Sequence, residues 1–239
     1  MAKKSSRSRR KASARPRPGA FVRKWLLRII GGIMFAILAL VALPIFVNPP
    51  AGPYMRAESH RLDGIARQWV PLEQIAPAMA RSAVAAEDAG FCQHWGLELE
   101  AIQAALEDGA QRGGSTISQQ TVKNVYLWQG RSWTRKAIEA LLTPMVEAFW
   151  SKRRILEIYL NVAEFDEGVF GVEAAARHYF RRSAADLTPE QAARLATVLP
   201  APKSRNAADL PPNLLRKMRA VMDGAATIDR DGRADCFQD

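Results

Sequence analysis

Two stretches of this chain carry side chains able to take a proton and to receive negative charge. The first is Glu87-Asp88-Ala89-Gly90-Phe91-Cys92-Gln93-His94-Trp95-Gly96, where two acids end an apolar run and open a glycine-bounded loop. A carboxylate at a helix C-terminus opposes the helix dipole, and placements made at a cost concentrate at functional sites. Taken alone, the same acids read as solvent-facing residues. The second stretch is Gly113-Gly114-Ser115-Thr116-Ile117-Ser118-Gln119-Gln120, followed by Thr121-Val122-Lys123-Asn124. Its glycines free the backbone for positive φ, and Thr116 with Gln119 forms a capping box that starts a helix. Open amide N–H groups at such a start make an anion site. Gln120, Lys123 and Asn124 follow Thr116 on one helix face, so an ammonium joins the amide dipoles. In isolation this is also an ordinary polar helix start after a turn.

Two further clusters follow. In Arg135-Lys136-Ala137-Ile138-Glu139 the acid lies four and three residues after the two cations, so all three project together; as a plain surface row this is worth a few tenths of a kcal/mol. Lys152-Arg153-Arg154-Ile155-Leu156-Glu157-Ile158-Tyr159-Leu160-Asn161 reads as a core helix that Asn161 closes. His94 has no second His, Cys or Asp at ligand spacing, which favours a hydrogen-bonding role over metal binding. No cofactor is demanded; a divalent cation is neither called for nor precluded by the ligand spacing.

These groups need elements to hold them. The formal charge is +10, but residues 1–28 hold eleven Lys/Arg and no acid, which leaves −1 over residues 29–239. The basicity is confined to a Ser/Arg/Pro tail that cannot bury a core and should be disordered, so it gives no case for nucleic acid binding. Ile29 to Val47 is uncharged and as a helix reaches about 28 Å, enough to span the hydrocarbon. The tail charge predicts a cytoplasmic N-terminus with the rest across the membrane, which in a bacterial cell is the periplasm or the outer face of the membrane. Residues 48–71 read as a juxtamembrane linker, 72–226 as one domain and 227–239 as a polar tail.

Within the domain, helices are expected over Pro77–Glu87, Leu97–Glu107, from the Thr116 cap to Leu127, Trp133–Trp150, Lys152–Asn161, Val172–Phe180, from the Thr188 capping box to Pro200, and Pro212–Ala225. Ile138, Leu141, Leu142, Met145 and Phe149 form the expected buried stripe of the long helix. Trp25, Trp128 and Trp133 are candidates for the membrane interface, with buried packing favoured for Trp133. No sustained period-two alternation occurs, so the domain should be mainly α. Cys92 and Cys236 would sit in an oxidising compartment, where pairing is allowed; two free thiols is the slightly favoured reading.

Glu-Asp-x-x-Phe-x-x-His-x-Gly, Gly-x-Ser-Thr-Ile-x-Gln-Gln, Arg-Lys-x-x-Glu and Lys-x-x-Ile-Leu-Glu-x-Tyr-Leu-Asn, in that order behind one anchor, resemble the peptidoglycan glycosyltransferase family. The match spans roughly residues 70 to 205. Ser118 stands where bifunctional members usually carry Thr, and no penicillin-binding transpeptidase segment follows, which is similar to monofunctional members. The resemblance implies a two-lobed, lysozyme-like multi-helix fold behind a transmembrane helix. It also implies polymerisation of lipid II into β-1,4 glycan with release of undecaprenyl pyrophosphate. By motif position Glu87 is the general base and Glu139 the second essential carboxylate. Asp88, Phe91, His94, Gly114, Ser115, Thr116, Gln119, Gln120, Lys123, Asn124, Arg135 and Lys136 fall in the substrate-binding motifs. Lipid II, the nascent glycan chain, the membrane and cell-wall synthesis proteins are the expected partners.

An independent argument agrees. Diphosphate is already a good leaving group, so its transferase needs cations and a base, whereas a muramidase needs a protonated acid against an alkoxide. A lysozyme-like hydrolase with Glu87 as acid remains the alternative enzyme, and a glycan-binding domain without activity the alternative outside enzymology.

Overall fold

The computed structural model describes residues 18–97, 114–130 and 132–238, with side chains from Phe21 onward. The expected helix over Leu97–Glu107 and most of the basic tail lie outside these residues. Two compact units are present, Met1–Leu40 and Val41–Asp239.

The first unit is dominated by α1 (Pro18–Ala42), and Phe21–Ile45 is long and apolar enough to cross a membrane. Phe35, Ile29 and Leu27 are among its exposed apolar side chains. Residues 18–28, assigned to the tail by composition, are helical here: Pro18 opens the helix, and Arg23, Lys24 and Arg28 do not interrupt it.

The second unit begins before the expected domain start. Residues 48–71 carry α2 (Pro53–Arg61) and strand β1 (Ala66–Arg67), in place of a free linker. Gly52 lies so close to the next helix layer that a Cβ there would sit 2.1 Å from the Asn124 carbonyl oxygen. Only glycine permits that approach.

Two groups of helices build the core. In one, α3 (Pro77–Glu87) packs with α8 (Pro189–Val198) and α9 (Pro212–Arg230). Their shared surfaces are small, with Ala80, Ala83, Ala192, Ala193 and Ala196 buried, so the backbones come near one another. In the other, α4 (Ile117–Tyr126) packs against α5 (Trp133–Phe149) and α6 (Lys152–Val162). The Thr116/Gln119 and Thr188/Gln191 capping boxes both form as read from the sequence. Between the groups runs α7 (Val172–Phe180) and a small sheet ordered β1-β3-β2, with β2 at Glu164–Asp166 and β3 at Val169–Phe170. β1 pairs parallel to β3, with Ala66 facing Val169, and β2 pairs antiparallel to it, with Glu164 facing Phe170. Strands of two or three residues are too short to display a period of two, which is why the pattern missed them.

Four expectations are corrected. The stripe on α5 is only partly buried: Leu142 and Met145 pack against the core, but Leu141 is 72% exposed, with Ile138 and Phe149 also outward, and the fully buried residues are Glu139, Thr143 and Val146. Trp133 is 89% exposed and does not pack inside. Periodicity marks an apolar face without stating what covers it. Asn161 does not cap its helix; it is fully buried and holds Val70 through both main-chain groups, at 2.9 Å and 2.8 Å. Finally, Cys92 and Cys236 form a disulfide, with Cα atoms 5.7 Å apart. The C-terminal segment is accordingly part of the domain: α9 continues to Arg230 and Phe237 is buried.

Candidate active site

Glu87 is the last residue of α3, where Asp88 leaves the helix with φ −164°. Asp88 is itself buried and holds two elements: Oδ2 accepts from the Ile117 N–H at the start of α4 (3.0 Å), and Oδ1 lies 2.7 Å from His94 Nε2. The anion at this helix N-terminus is thus a protein carboxylate. His94 Nδ1 accepts from the Gly96 N–H at 3.0 Å, and the Gly96 carbonyl accepts from the Thr116 hydroxyl at 2.6 Å. Asp88, His94 and Thr116 therefore spend polar atoms joining the end of α3 to the start of α4, Gln119 closes the Thr116 cap, and Phe91 is fully buried beneath them. The spacing that marked these residues reports the strap that positions Glu87.

That strap sets Glu87 against Gln120, whose Nε2 donates to Oε2 at 2.8 Å. Gln120 is steadied by the buried Tyr159 hydroxyl, which donates to its Oε1 at 3.3 Å. The other carboxylate oxygen, Oε1, is shielded from solvent and has no hydrogen-bond partner among the described residues. Burial raises the Glu87 pKa, opposed by the Gln120 hydrogen bond and by the charges of Lys217, Lys123 and Arg205. A base that binds a proton more readily than an ordinary glutamate, with one oxygen unpartnered among the described residues, suits proton abstraction.

Lys123 lies one turn beyond Gln120 on α4. Burial lowers its pKa, while Glu139, Arg135, Lys136 and Glu87 all act on it electrostatically, so the proton acceptor and the later cations share one neighbourhood. Glu139 is 2% exposed and bridges Arg135 Nη1 at 2.6 Å and Lys136 Nζ at 2.5 Å. The row is a fork around a buried carboxylate, with Arg135 mostly covered and Lys136 reaching out to solvent. Lys136 also donates to the Ser115 hydroxyl at 3.1 Å, which connects the fork to the loop that contains Gly114. Asn124, with Gln120 and Lys123, lines a cavity of about 410 Å³ whose far wall includes Tyr54, Glu164 and Lys203.

Several groups here carried no signal in the sequence. Lys217 faces Glu87 because α9 folds back onto α3, and Arg205, ahead of α9, reaches it while donating to the Thr197 carbonyl of α8 at 2.8 Å. Tyr54 donates to Glu164 at 2.5 Å, and burial raises the pKa of that carboxyl. Ser118 donates to Glu147, which pairs with Lys152 at 2.8 Å and so braces α4 from below. Among the described residues, no three His, Cys, Asp or Glu side chains gather as a metal site.

Comparison with known proteins follows this geometry. The family model described as Transglycosylase matches residues 56–226. A biosynthetic peptidoglycan transglycosylase from Jannaschia sp. (strain CCS1) is 54% identical over 237 residues, covering 99% of both chains. One from Caulobacter vibrioides is 42% identical over 226 residues, covering 91% of this chain and 99% of its own. Another from Pasteurella multocida is 48% identical over 193 residues, with 76% and 78% covered. The mainly helical architecture, the order of the four motifs and these likenesses agree: the chain belongs to the transglycosylase family, lysozyme-like glycosyltransferases of peptidoglycan synthesis.

Proposed function

We propose that this enzyme polymerises lipid II, with Glu87 as general base and Lys123, Arg135 and Lys136 as the cations that receive the diphosphate. The observation that carries the reading is the pairing of a desolvated, half-satisfied carboxylate with a buried lysine one helical turn past the amide that holds it. In the step, Glu87 takes the proton of the acceptor sugar's 4-hydroxyl. The oxygen attacks C1 of the donor muramyl sugar, and the C1–O bond to diphosphate breaks, which turns an α-linked donor into a β-1,4 link. Charge accumulating on the departing diphosphate falls where ammonium and guanidinium groups already stand, so little reorganisation is needed. Glu139 acts by fixing Arg135 and Lys136, and Gln120 by orienting Glu87.

The apolar helix supports an anchored enzyme whose isoprenoid substrates stay in the same bilayer, since tethering confines the reactants to one surface. The exposed Trp133 and Leu141 suit a domain that works beside lipid. The eleven tail cations support a cytoplasmic N-terminus, and the disulfide supports an oxidising compartment for the catalytic domain, as in the periplasm of a bacterial inner-membrane protein.

The test supplies detergent-solubilised full chain with either lipid II or finished cell wall. Long glycan from lipid II is expected. Soluble fragments from finished wall, with no polymer from lipid II, would replace transfer by hydrolysis.

A further inference from the structure

The loop after Glu87 is fastened on two sides. Its inner side carries the Asp88, His94 and Gly96 bonds that join α3 to α4 and thereby set Glu87 against Gln120. Its outer side lies against the turn that follows α9. There Cys92 is bonded to Cys236, Arg233 Nη1 donates to the Ala89 carbonyl at 3.2 Å, and the Phe91 ring sits 6.2 Å from that of Phe237. Lys152 closes the underside: Nζ donates to the His94 carbonyl at 2.7 Å and stands 4.5 Å from the Phe91 ring centroid. Beyond the Asp88 N–H, which still bonds the Val84 C=O of α3 at 2.9 Å, the described backbone bonds of residues 88–93 are turn bonds, Phe91 N–H to Asp88 C=O at 3.0 Å and Gln93 N–H to Gly90 C=O at 2.7 Å. No helix or strand stiffens this piece, so its outer fastening decides how often it opens.

We infer that the Cys92–Cys236 disulfide is a positioning device for the proton acceptor, holding the 88–96 loop so that Glu87 is presented to the diphosphate side, and that its reduction slows turnover while the domain stays folded. This rests on the reading of Glu87 as the base. Cys92 and Cys236 are both partly exposed, so a small dithiol can reach the bond. One thiolate of the dithiol attacks a disulfide sulfur and releases the other cysteine as a thiol. The second thiol then resolves the mixed disulfide, leaving two cysteine thiols and an oxidised reagent.

Opening the loop admits water to Glu87 and removes the main cause of its raised proton affinity. The groups facing Glu87 are Gln120 and Lys123 on α4, Lys217 on α9, Tyr159 on α6, Arg205 ahead of α9 and the adjacent Asp88. All but Asp88 lie off the loop, and burial is the largest influence on Glu87, so its loss outweighs a weakened Gln120 hydrogen bond. The sign is therefore set by regained hydration, and the acid limb of the rate profile moves to lower pH.

The experiment compares the full chain in detergent, oxidised and after dithiothreitol under native conditions, with a Cys92→Ser/Cys236→Ser variant beside it. Lipid II polymerisation is followed across pH, and amide hydrogen exchange is read in parallel. Reduction is expected to lower kcat roughly tenfold while KM stays within about twofold, a loss of the size that slight misplacement of a base produces. The acid limb should fall, exchange at Phe91, Gln93 and Ile117 should quicken while α6 is unchanged, and reoxidation should restore all three. Unchanged exchange at those amides overturns the inference, as does an unchanged kcat and acid limb, even when thermal stability drops. If the serine variant does not fold, the reduced wild type decides. If the oxidised enzyme makes no polymer, the base assignment fails instead, and the exchange data alone decide the clamp.

Discussion

Glu87 and Lys123 are both displaced toward their neutral forms by the same cause, loss of water. The base must be deprotonated and the lysine charged for transfer. Activity should therefore fall on acidification at a pH above the ordinary glutamate range, and on alkalinisation at a pH below the ordinary lysine range, giving a bell in kcat/KM. Gln120→Leu removes a hydrogen bond that holds the Glu87 pKa down, and Lys217→Met removes a charge that does the same. Each should move the acid limb upward; a pH–rate profile of each variant reads this directly. Glu139→Gln leaves two cations around a buried neutral group and should lower stability by about 3 kcal/mol in a denaturant titration, with a weakened KM for lipid II. At this scale the sequence was legible where the chemistry restricts residue type, as with Glu87, Lys123 and the Arg135–Lys136–Glu139 row. Lys217 and Arg205 were not, because an isolated cation far along the chain has no local pattern; the packing of α9 on α3 brings Lys217 to the carboxylate, and Arg205 is placed by its bond to the Thr197 carbonyl of α8.

The elements meet at close backbone approaches, and these explain positions that no substrate would touch. Gly96 has φ +75°, and a Cβ there would lie 2.6 Å from Thr143 Cγ2 and 2.8 Å from Glu147 Cγ. Gly96→Ala should cost about 2–3 kcal/mol, from the left-handed backbone and the collision together. It should also impair activity by tilting the strap between α3 and α4. Thr188→Ala removes a cap remote from Glu87 and should cost about 1 kcal/mol with polymerisation intact. Urea unfolding with activity measured alongside separates the two cases. Helix starts were readable because Ser, Thr and Pro satisfy or remove the first N–H groups, a purely local device. The sheet was not, since its strands are only two or three residues long and β1 finds its partner β3 far along the chain. The apolar face of α5 was read correctly as apolar, but only Leu142 and Met145 of it are covered by the core.

Across the whole molecule, the disulfide joins positions 144 residues apart. In the chain-entropy picture a closed loop of this size stabilises by about 3–5 kcal/mol, so the double serine variant should melt well below the parent in calorimetry. Pairing could not be read from the sequence, because separation along a chain says nothing about distance in space. The membrane-spanning length was readable for the opposite reason: it depends on one continuous run of residues. The same contrast holds for the site. Its ingredients lie in short motifs, while the distance between the carboxylate and the cations is a product of every helix between them.

The account stands most directly on Glu87. Lipid II polymerisation by Glu87→Gln, assayed in detergent beside the wild type and with the melting temperature of both recorded, should show no glycan from a protein as stable as its parent. A variant that polymerises at close to the parental rate would show that the proton leaves by another route, and the role given to the α3–α4 junction would be wrong.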